Sequence, residues 1–380
     1  MKQEIKISVV LPCLNEEQTL AVCIHKIRKV FEREKVEGEI IVVDNGYTDR
    51  SREIALALGV RLFPETEKGY GAAYLRGIKE AKGVFILMAD SDNTYDFYEM
   101  PLLIRKLEEG YDFVIGSRFK GRINRDAMPW LNRYLGNPLL SGLCRLFFRT
   151  RLTDIHCGMR AFTAGSYRRL KLKTLGMEFA TEMVVVALQN NLKVCEVPVS
   201  YSARLGRSKL SRLRDAWRHI RFMLFYCPLW LYFVPGLIGF ILSFLSLLVL
   251  LRGPFLFLGR FWDLHLMIFM SMLCILSFQV LNIGVYAHTF AIRQGFLRYD
   301  KTTRFFQRRF NLEKGLILGG GMFFCGFVIL LSIFIEWFSK SFGPLYRIRE
   351  SILAMTLLII GLQTMFSSFF ISLIFLEKKE

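Results

Sequence analysis

Four apolar runs, at about residues 224–251, 266–292, 316–337 and 352–376, restrict what this chain can fold into more than any other feature. A helix needs about 20 apolar residues to cross a bilayer, and each run is long enough. Charged residues are scarce within them, and His288 lies near an end. Such a chain cannot fold wholly in water, so the mixed polar text from Met1 to about Arg221 reads as a separate soluble domain. Spans so poor in ionisable groups disfavour a proton- or ion-coupled transporter. The opening MKQEIKISVVLP reads as a charged lead into a strand, without the apolar core and cleavage site of a signal peptide.

Formal net charge is +18, and its placement matters more than its size. Basic residues gather in 118–151 (Arg118, Lys120, Arg122, Arg125, Arg133, Arg145, Arg149, Arg151), in 204–221 and in 293–314. Two of these stretches adjoin apolar runs, so membrane lipids or a phosphorylated lipid fit better than nucleic acid. The loop between the second and third runs carries Arg293, Arg298, Lys301, Arg304, Arg308, Arg309 and Lys314. The flanking loops are poorer, with Arg252 and Arg260 on one side and Lys340, Arg347 and Arg349 on the other. The positive-inside rule therefore places that loop, both termini and the soluble domain in the cytosol, under a bacterial or archaeal cell membrane or the endoplasmic reticulum.

Three segments follow: a soluble domain over 1–207, a juxtamembrane helix over 208–223 and a membrane domain over 224–380. In the middle segment Leu210, Leu213, Trp217, Ile220 and Leu224 recur every three or four residues with Arg between them. That spacing predicts a basic amphipathic helix, suited to the headgroup layer, the alternative being a helix packed on the soluble domain. The eight cysteines form no CxxC pair or Cys/His cluster, which argues against a thiolate metal site and for buried thiols in a reducing compartment.

The first 200 residues alternate strands (Ile7–Leu11, Glu39–Val43, Arg61–Phe63, Val84–Met88, Phe113–Ile115) with helices (Thr19–Arg33, Asp49–Leu58, Gly71–Ala81, Met100–Glu108). This alternation predicts an α/β domain with a mostly parallel sheet, whose ligands sit at the carboxyl ends of the strands. Polar motifs fall at those ends. The first strand runs into Pro12-Cys-Leu14-Asn-Glu16, with Asn15 a candidate helix cap. The second ends in Val43-Asp44, where a carboxylate could accept from a base or ribose, with Thr48 or Asp49 a plain cap for the next helix. Lys68-Gly-Tyr-Gly71 sets two glycines before a helix, where backbone amides can approach a ligand. The fourth strand ends in Asp90-Ser91-Asp92, with Asp96 beyond. Two carboxylates so close repel unless a cation or donors compensate, and a hard divalent ion bridging to phosphates would do so; a capped, solvated turn is the alternative.

Taken in order, VLPCLNEE, VVDNGYTD, KGYGAA, ADSDNTYD and VIGSR resemble family-two glycosyltransferases of the GT-A, Rossmann-like fold. The resemblance continues through Asp154-Ile-His-Cys-Gly-Met-Arg160, Met177–Glu182 and Glu196–Tyr201 to Arg204-Leu-Gly-Arg-Ser-Lys-Leu210. Its nearest branch is the polyprenyl-phosphate glycosyltransferases, such as dolichol-phosphate mannose and glucose synthases, which often carry membrane helices after the catalytic domain. The resemblance implies a nucleotide-sugar donor, a polyprenyl-phosphate acceptor and Mg²⁺ or Mn²⁺. It assigns Pro12, Leu14, Glu16, Val43, Asp44 and Gly71 to the donor, with Asp90 and Ser91 near ribose and metal. Asp92, with Asp90 and Thr94, would ligate the metal. Arg118 would touch donor phosphate or sugar. Arg133 and Asn137 would grip the acceptor phosphate, and Arg204, Ser208 and Lys209 would close over the phosphates. The chain departs from the usual VDDGS pattern at Asn45 and Tyr47, and has Thr94 where a Gln-like ligand is expected.

An acceptor phosphate is already ionised near neutral pH, so inverting transfer onto it needs little general base; the work is positioning two anions and neutralising them. Asp154 and Glu182 would orient the sugar or Arg160, or be buried ion-pair partners. A processive polysaccharide synthase would carry Gln-x-x-Arg-Trp, which is absent. A different lipid or glycan acceptor, or a lipid-binding or transport protein with an inactive head, remains the other reading. A homo-oligomer is compatible with all of these.

Overall fold

The computed structural model describes residues 5–205, 212–227, 229–293 and 312–375. The chain divides into two compact units, Met1–Met223 and Leu224–Glu380.

The first unit alternates β1 (Ile7–Cys13), α1 (Leu20–Glu34), β2 (Gly38–Asp44), α2 (Ser51–Ala57), β3 (Arg61–Pro64), α3 (Tyr70–Glu80), β4 (Phe85–Met88), α4 (Met100–Glu108) and β5 (Phe113–Ser117). After these come α5 (Asn137–Phe148), β6 (Arg160–Thr163), α6 (Ala164–Leu170), α7 (Phe179–Gln189), β7 (Val194–Pro198) and α8 (Arg212–Phe225). The strands order as β3-β2-β1-β4-β6-β5-β7. All neighbours run parallel except β6, which lies antiparallel between β4 and β5. The mostly parallel sheet expected from the alternation is thus present, with β6 and β7 added beyond the five strands read from sequence.

Burial explains the pattern. β1 is apolar and covered on both faces, as parallel strands between helices must be. α1 buries Leu20, Cys23, Ile24, Ile27 and Val30 at helical spacing and leaves its charged face to solvent. On α8, His219, Phe222 and Met223 are buried, Met223 in the core of the first unit and His219 against Thr181, while Trp217 is 58% exposed and Arg221 is exposed. The packed alternative therefore describes one face of this helix. Leu210 lies outside the described residues.

The second unit holds α9 (Val234–Leu251), preceded by a π-helical turn, a short hairpin of β8 (Phe255–Phe257) and β9 (Arg260–Trp262), then α10 (Leu264–Arg293), α11 (Leu312–Ser339) and α12 (Ile348–Phe375). Four helical stretches, Trp230–Leu251, Leu264–Arg293, Leu312–Ser339 and Ile348–Ile374, are long and apolar enough to cross a membrane. α10 packs against α9 and α12, and α11 against α12. Of the basic loop, Arg298, Lys301, Arg304, Arg308 and Arg309 lie outside the described residues.

Candidate active site

The site is built where β1, β2 and β4 end side by side. Parallel pairing sets Pro12 opposite Val43 and Cys13 opposite Asp44. Ser91 donates its hydroxyl to the Pro12 carbonyl at 2.5 Å, and its own carbonyl accepts from Thr19 Oγ1 at 2.8 Å. The β4 tip is thereby tied to both ends of the β1–α1 loop. Leu14 is half-buried in that loop. Asn15 adopts a left-handed conformation, and its side chain reaches the neighbouring loop, accepting from Thr48 N at 2.6 Å and donating to Thr48 Oγ1 at 3.1 Å. It is no helix cap: the residue before α1 is Thr19, which makes no side-chain capping bond. Asp49 accepts from Ser51 N and from Glu17 N, both at 3.0 Å, so it caps α2 and fastens the first loop.

Asp44 Oδ1 accepts from the amides of Gly46 (2.9 Å) and Tyr47 (3.2 Å), closing a turn that leaves one carboxylate oxygen without a bond to these amides. Asn45 donates to the Glu67 carbonyl at 2.7 Å and accepts from Gly69 N at 2.9 Å. A carboxylate could not make the first of these bonds, which is the physical reason for Asn where the family pattern has Asp. The glycines of the KGYG segment serve packing. A Cβ on Gly71 would stand 2.4 Å from the Thr174 carbonyl oxygen, and the Gly71 and Ala72 amides donate to Gly176 and Leu175 carbonyls. The sequence left these amides to a ligand; the structure gives them to the 174–176 loop. Glu182 holds that loop in turn, accepting from Lys173 N, Thr174 N and Thr174 Oγ1.

The acidic cluster is unevenly compensated. Asp92 is buried, with Oδ1 accepting from Thr94 N (3.1 Å) and Thr94 Oγ1 (2.6 Å) and Oδ2 3.5 Å from Arg204 Nε. Thr94 thus joins the cluster as a donor to Asp92. Arg204 also pairs with Glu16 at 2.5 Å, so it straddles the ends of β1 and β4; its buried Nε makes no hydrogen bond among the described residues. Asp90 has less support: Tyr74 Oη lies 3.4 Å from Oδ1. Burial, and next the charge of Asp92, push the Asp90 carboxyl up to about 7. A Cβ on Gly158 would come 2.6 Å from Asp90 Oδ2, so this position admits only glycine without displacing the carboxylate.

Around the carboxylates stand groups that the motifs contained but the sequence reading passed over. Tyr70 and Tyr74, one turn apart on α3, meet edge to face at 4.9 Å. Tyr95 packs on Tyr201 at 5.3 Å, and its hydroxyl accepts from Gly158 N at 2.7 Å. Burial holds the phenols of Tyr70, Tyr74 and Tyr95 well above their usual range, so they stay protonated donors. Tyr70, Tyr95 and Tyr201 stood inside quoted motifs, and Tyr74 one residue past KGYGAA.

Arg118 is buried and forked onto Asp154, with contacts of 2.7 and 2.8 Å, and stacks over Tyr201 at 5.2 Å. Asp154 supplies the counter-charge that a buried guanidinium needs. Asp154 does not pair with Arg160, which is fully buried and donates to the carbonyls of Cys157, Ile155 and Ala180. Arg133 and Asn137 belong to a separate stretch. Arg133 sits in a π-helical turn over Tyr134 at 5.4 Å, and Asn137 donates toward Met128 Sδ at 3.5 Å. Ser208 and Lys209 lie outside the described residues.

Residues 8–176 match glycosyl transferase family 2, and residues 285–375 match the glycosyltransferase family 2 C-terminal transmembrane region. Over 366 residues the chain is 34% identical to the low-salt glycan biosynthesis hexosyltransferase Agl6 of Haloferax volcanii, covering 96% of this chain and 87% of that one. The chain belongs to glycosyltransferase family 2. A dolichyl-phosphate hexose transferase of the same organism is 30% identical to this family-two glycosyltransferase over 209 residues, 54% of this chain and 86% of its own. Among solved structures, glucosyl-3-phosphoglycerate synthase from Mycobacterium tuberculosis with Mn²⁺, UDP and glucosyl-3-phosphoglycerate superposes with a TM-score of 0.48 at 22% identity, over 58% of this chain and 80% of that one.

No group of three or more His, Cys, Asp or Glu side chains stands together among the described residues. A metal held by this glycosyltransferase would rest on Asp90 and Asp92 and draw its other ligands from substrate oxygens and water, the usual economy of Mg²⁺ sites. The residues present fit that role, since burial and the charge of Asp92 disfavour a second bare carboxylate at Asp90, a cost that a dication would relieve.

Proposed function

We propose that this membrane glycosyltransferase moves a hexose from a UDP- or GDP-linked donor to a polyprenyl monophosphate, with inversion, at the cytosolic face of its membrane. The observation that carries the reading is the Asp90–Asp92 pair at the β4 tip, one member partly neutralised by Arg204 and the other held near neutrality by burial. Such a site is ready for a dication carrying a diphosphate, and Asp44, Leu14 and Val43 line the neighbouring strand ends for the nucleoside. Bound there, Mg²⁺ or Mn²⁺ would offset the charge of the leaving diphosphate. Arg204, whose buried Nε has no hydrogen-bond partner among the described residues, is the residue best set to turn onto donor phosphate, with Ser208 and Lys209 assigned beside it by the resemblance.

The acceptor half of the reading is supported by the stretch that starts at Trp130. Trp130 (70%), Tyr134 (60%), Leu135 (54%) and Leu139 (53%) are exposed, interleaved with Arg133 and followed by Arg145. Apolar residues that leave water so openly, with arginines among them, suit a headgroup layer. Arg133 and Asn137 on that stretch would present the lipid phosphate, already anionic, to the anomeric carbon. No general base is then required, and the protein contributes position and charge.

Purified full-length protein should be given UDP- and GDP-hexoses, Mg²⁺ or Mn²⁺ and polyprenyl phosphate, and the glycolipid followed by mass spectrometry. We expect one donor to yield an inverted product, and Asp92→Asn to lower kcat/KM at least about 100-fold, the scale of a lost electrostatic group, with unchanged melting. Absence of product from every pair would overturn the reading, and transfer only to another lipid would move the acceptor assignment.

A further inference from the structure

α10 runs 30 residues, about 45 Å at 1.5 Å per residue, and Gln279 stands midway along it. That position falls near the bilayer centre, where acyl chains offer no hydrogen-bond partner. Gln279 is nevertheless exposed, and its carboxamide makes no hydrogen bond among the described residues. Other polar side chains in the spans are better served: Ser271 meets Thr356 at 2.7 Å, Tyr286 meets Ser367 at 2.6 Å, and Ser243, Thr289 and Thr364 bond carbonyls of their own helices.

The surroundings of Gln279 have a register. Phe269, Met272, Leu276, Gln279, Ile283 and Phe290 follow one another at intervals of three and four residues, with one seven-residue step. All six are exposed, the apolar five between 43% and 54%. This is the a/d seam of a left-handed coiled coil, exposed except at position 286, where Tyr286 turns to Ser367 on α12. Asn282, flanking the seam one turn on, is half-buried and also makes no hydrogen bond among the described residues.

We infer that this seam pairs two copies of the chain through α10, with the Gln279 carboxamides bonded to each other across a two-fold axis. A carboxamide is both donor and acceptor, so it complements itself, and an identical heptad seam is the surface that knobs at these spacings fit. Interhelical side-chain bonds of this kind contribute modestly but set register. Lipid would fill the seam sterically and leave four polar valences empty, so lipid is the weaker occupant.

The test is association in liposomes, which needs no substrate and so stands or falls apart from the transfer reaction. Labelled full-length protein is diluted over a range of protein-to-lipid ratios and dimers are counted by stepwise photobleaching. Wild type should dimerise, and Gln279→Leu should raise the dissociation constant about 3- to 30-fold. Gln279→Asn should fall between them. Leucine suits a lipid-facing position, so the fold should hold, which an unchanged melting profile checks. Leu276→Cys should add an oxidative cross-link beyond that of the native cysteines. A monomeric wild type, a Gln279→Leu protein that associates like wild type, or no added cross-link would each overturn the inference.

Discussion

At the scale of single residues, the side chains that set this site apart are those that settle bonds between loops. Asn45 was visible in the sequence as a departure from a family pattern, but the pattern could not say what the amide does. Its two bonds, to the Glu67 carbonyl and the Gly69 amide, require a side chain that both donates and accepts. Asn45→Asp would set a carboxylate against a carbonyl in a site only 8% exposed. We expect about 1–3 kcal/mol of destabilisation, read as a lower melting temperature in detergent, with Asn45→Gln no full rescue because the longer arm misplaces the amide. Asp90 and Asp92 were legible as a pair, with Asp92 the firmer ligand, whereas the physical basis of their inequality was not. It arises from Thr94, two residues along, and from Arg204 and Gly158, which lie far off in sequence and which no local pattern encodes.

At the scale of elements, α8 shows where periodicity stops informing. Spacing of apolar residues predicted the helix, but the side that packs is marked by a histidine. His219 Nδ1 lies 2.7 Å from Thr181 Oγ1 on α7, and its ring meets His156 edge to face at 4.4 Å. Thr181 Oγ1 also stands 3.5 Å from His156 Nε2, so the three side chains form one short chain of contacts. Burial first, then His219 and the guanidinium charges of Arg118 and Arg160, hold the His156 imidazole well below its usual range. A released His156 protonates near its ordinary value of about 6.5, whereas the packed one stays neutral. Docking of α8 should therefore be full above that pH and weaken as pH falls below it. Protection of α8 amides, corrected for the slower intrinsic exchange at lower pH, should fall from about pH 7.5 to about 5.5, and His156→Gln should flatten the dependence.

At the scale of the whole molecule, the division into a mixed-sheet unit and an apolar helical unit could be read directly, because each rests on long-range statistics of the text. Strand β6 could not, being four residues long and beginning with Arg160, whose charge is spent on carbonyls that only the finished fold brings near. The spans run past the apolar stretches by a polar turn, as at Leu312-Glu-Lys314 and Ile348-Arg-Glu350, because a helix ends by its hydrogen bonds and not at the edge of the oil. A net charge of +18, with arginines on the Trp130–Arg149 stretch, implies that capture of an anionic lipid is screened by salt. Raising salt from about 50 to 500 mM, a several-fold cut in Debye length, should raise KM for polyprenyl phosphate well beyond any change in KM for the nucleotide sugar.

That contrast follows from Arg204. Resting between Glu16 and Asp92, it serves as an internal counter-ion, held in part by Asp92, one of the two carboxylates that would bear a dication. On the proposed reading, a donor diphosphate bound with its dication would bring nearly cancelling charges, and Arg204 would pair with phosphate in place of carboxylate. The pocket thus trades one neutral arrangement for another, and bulk electrolyte has little net charge to act upon.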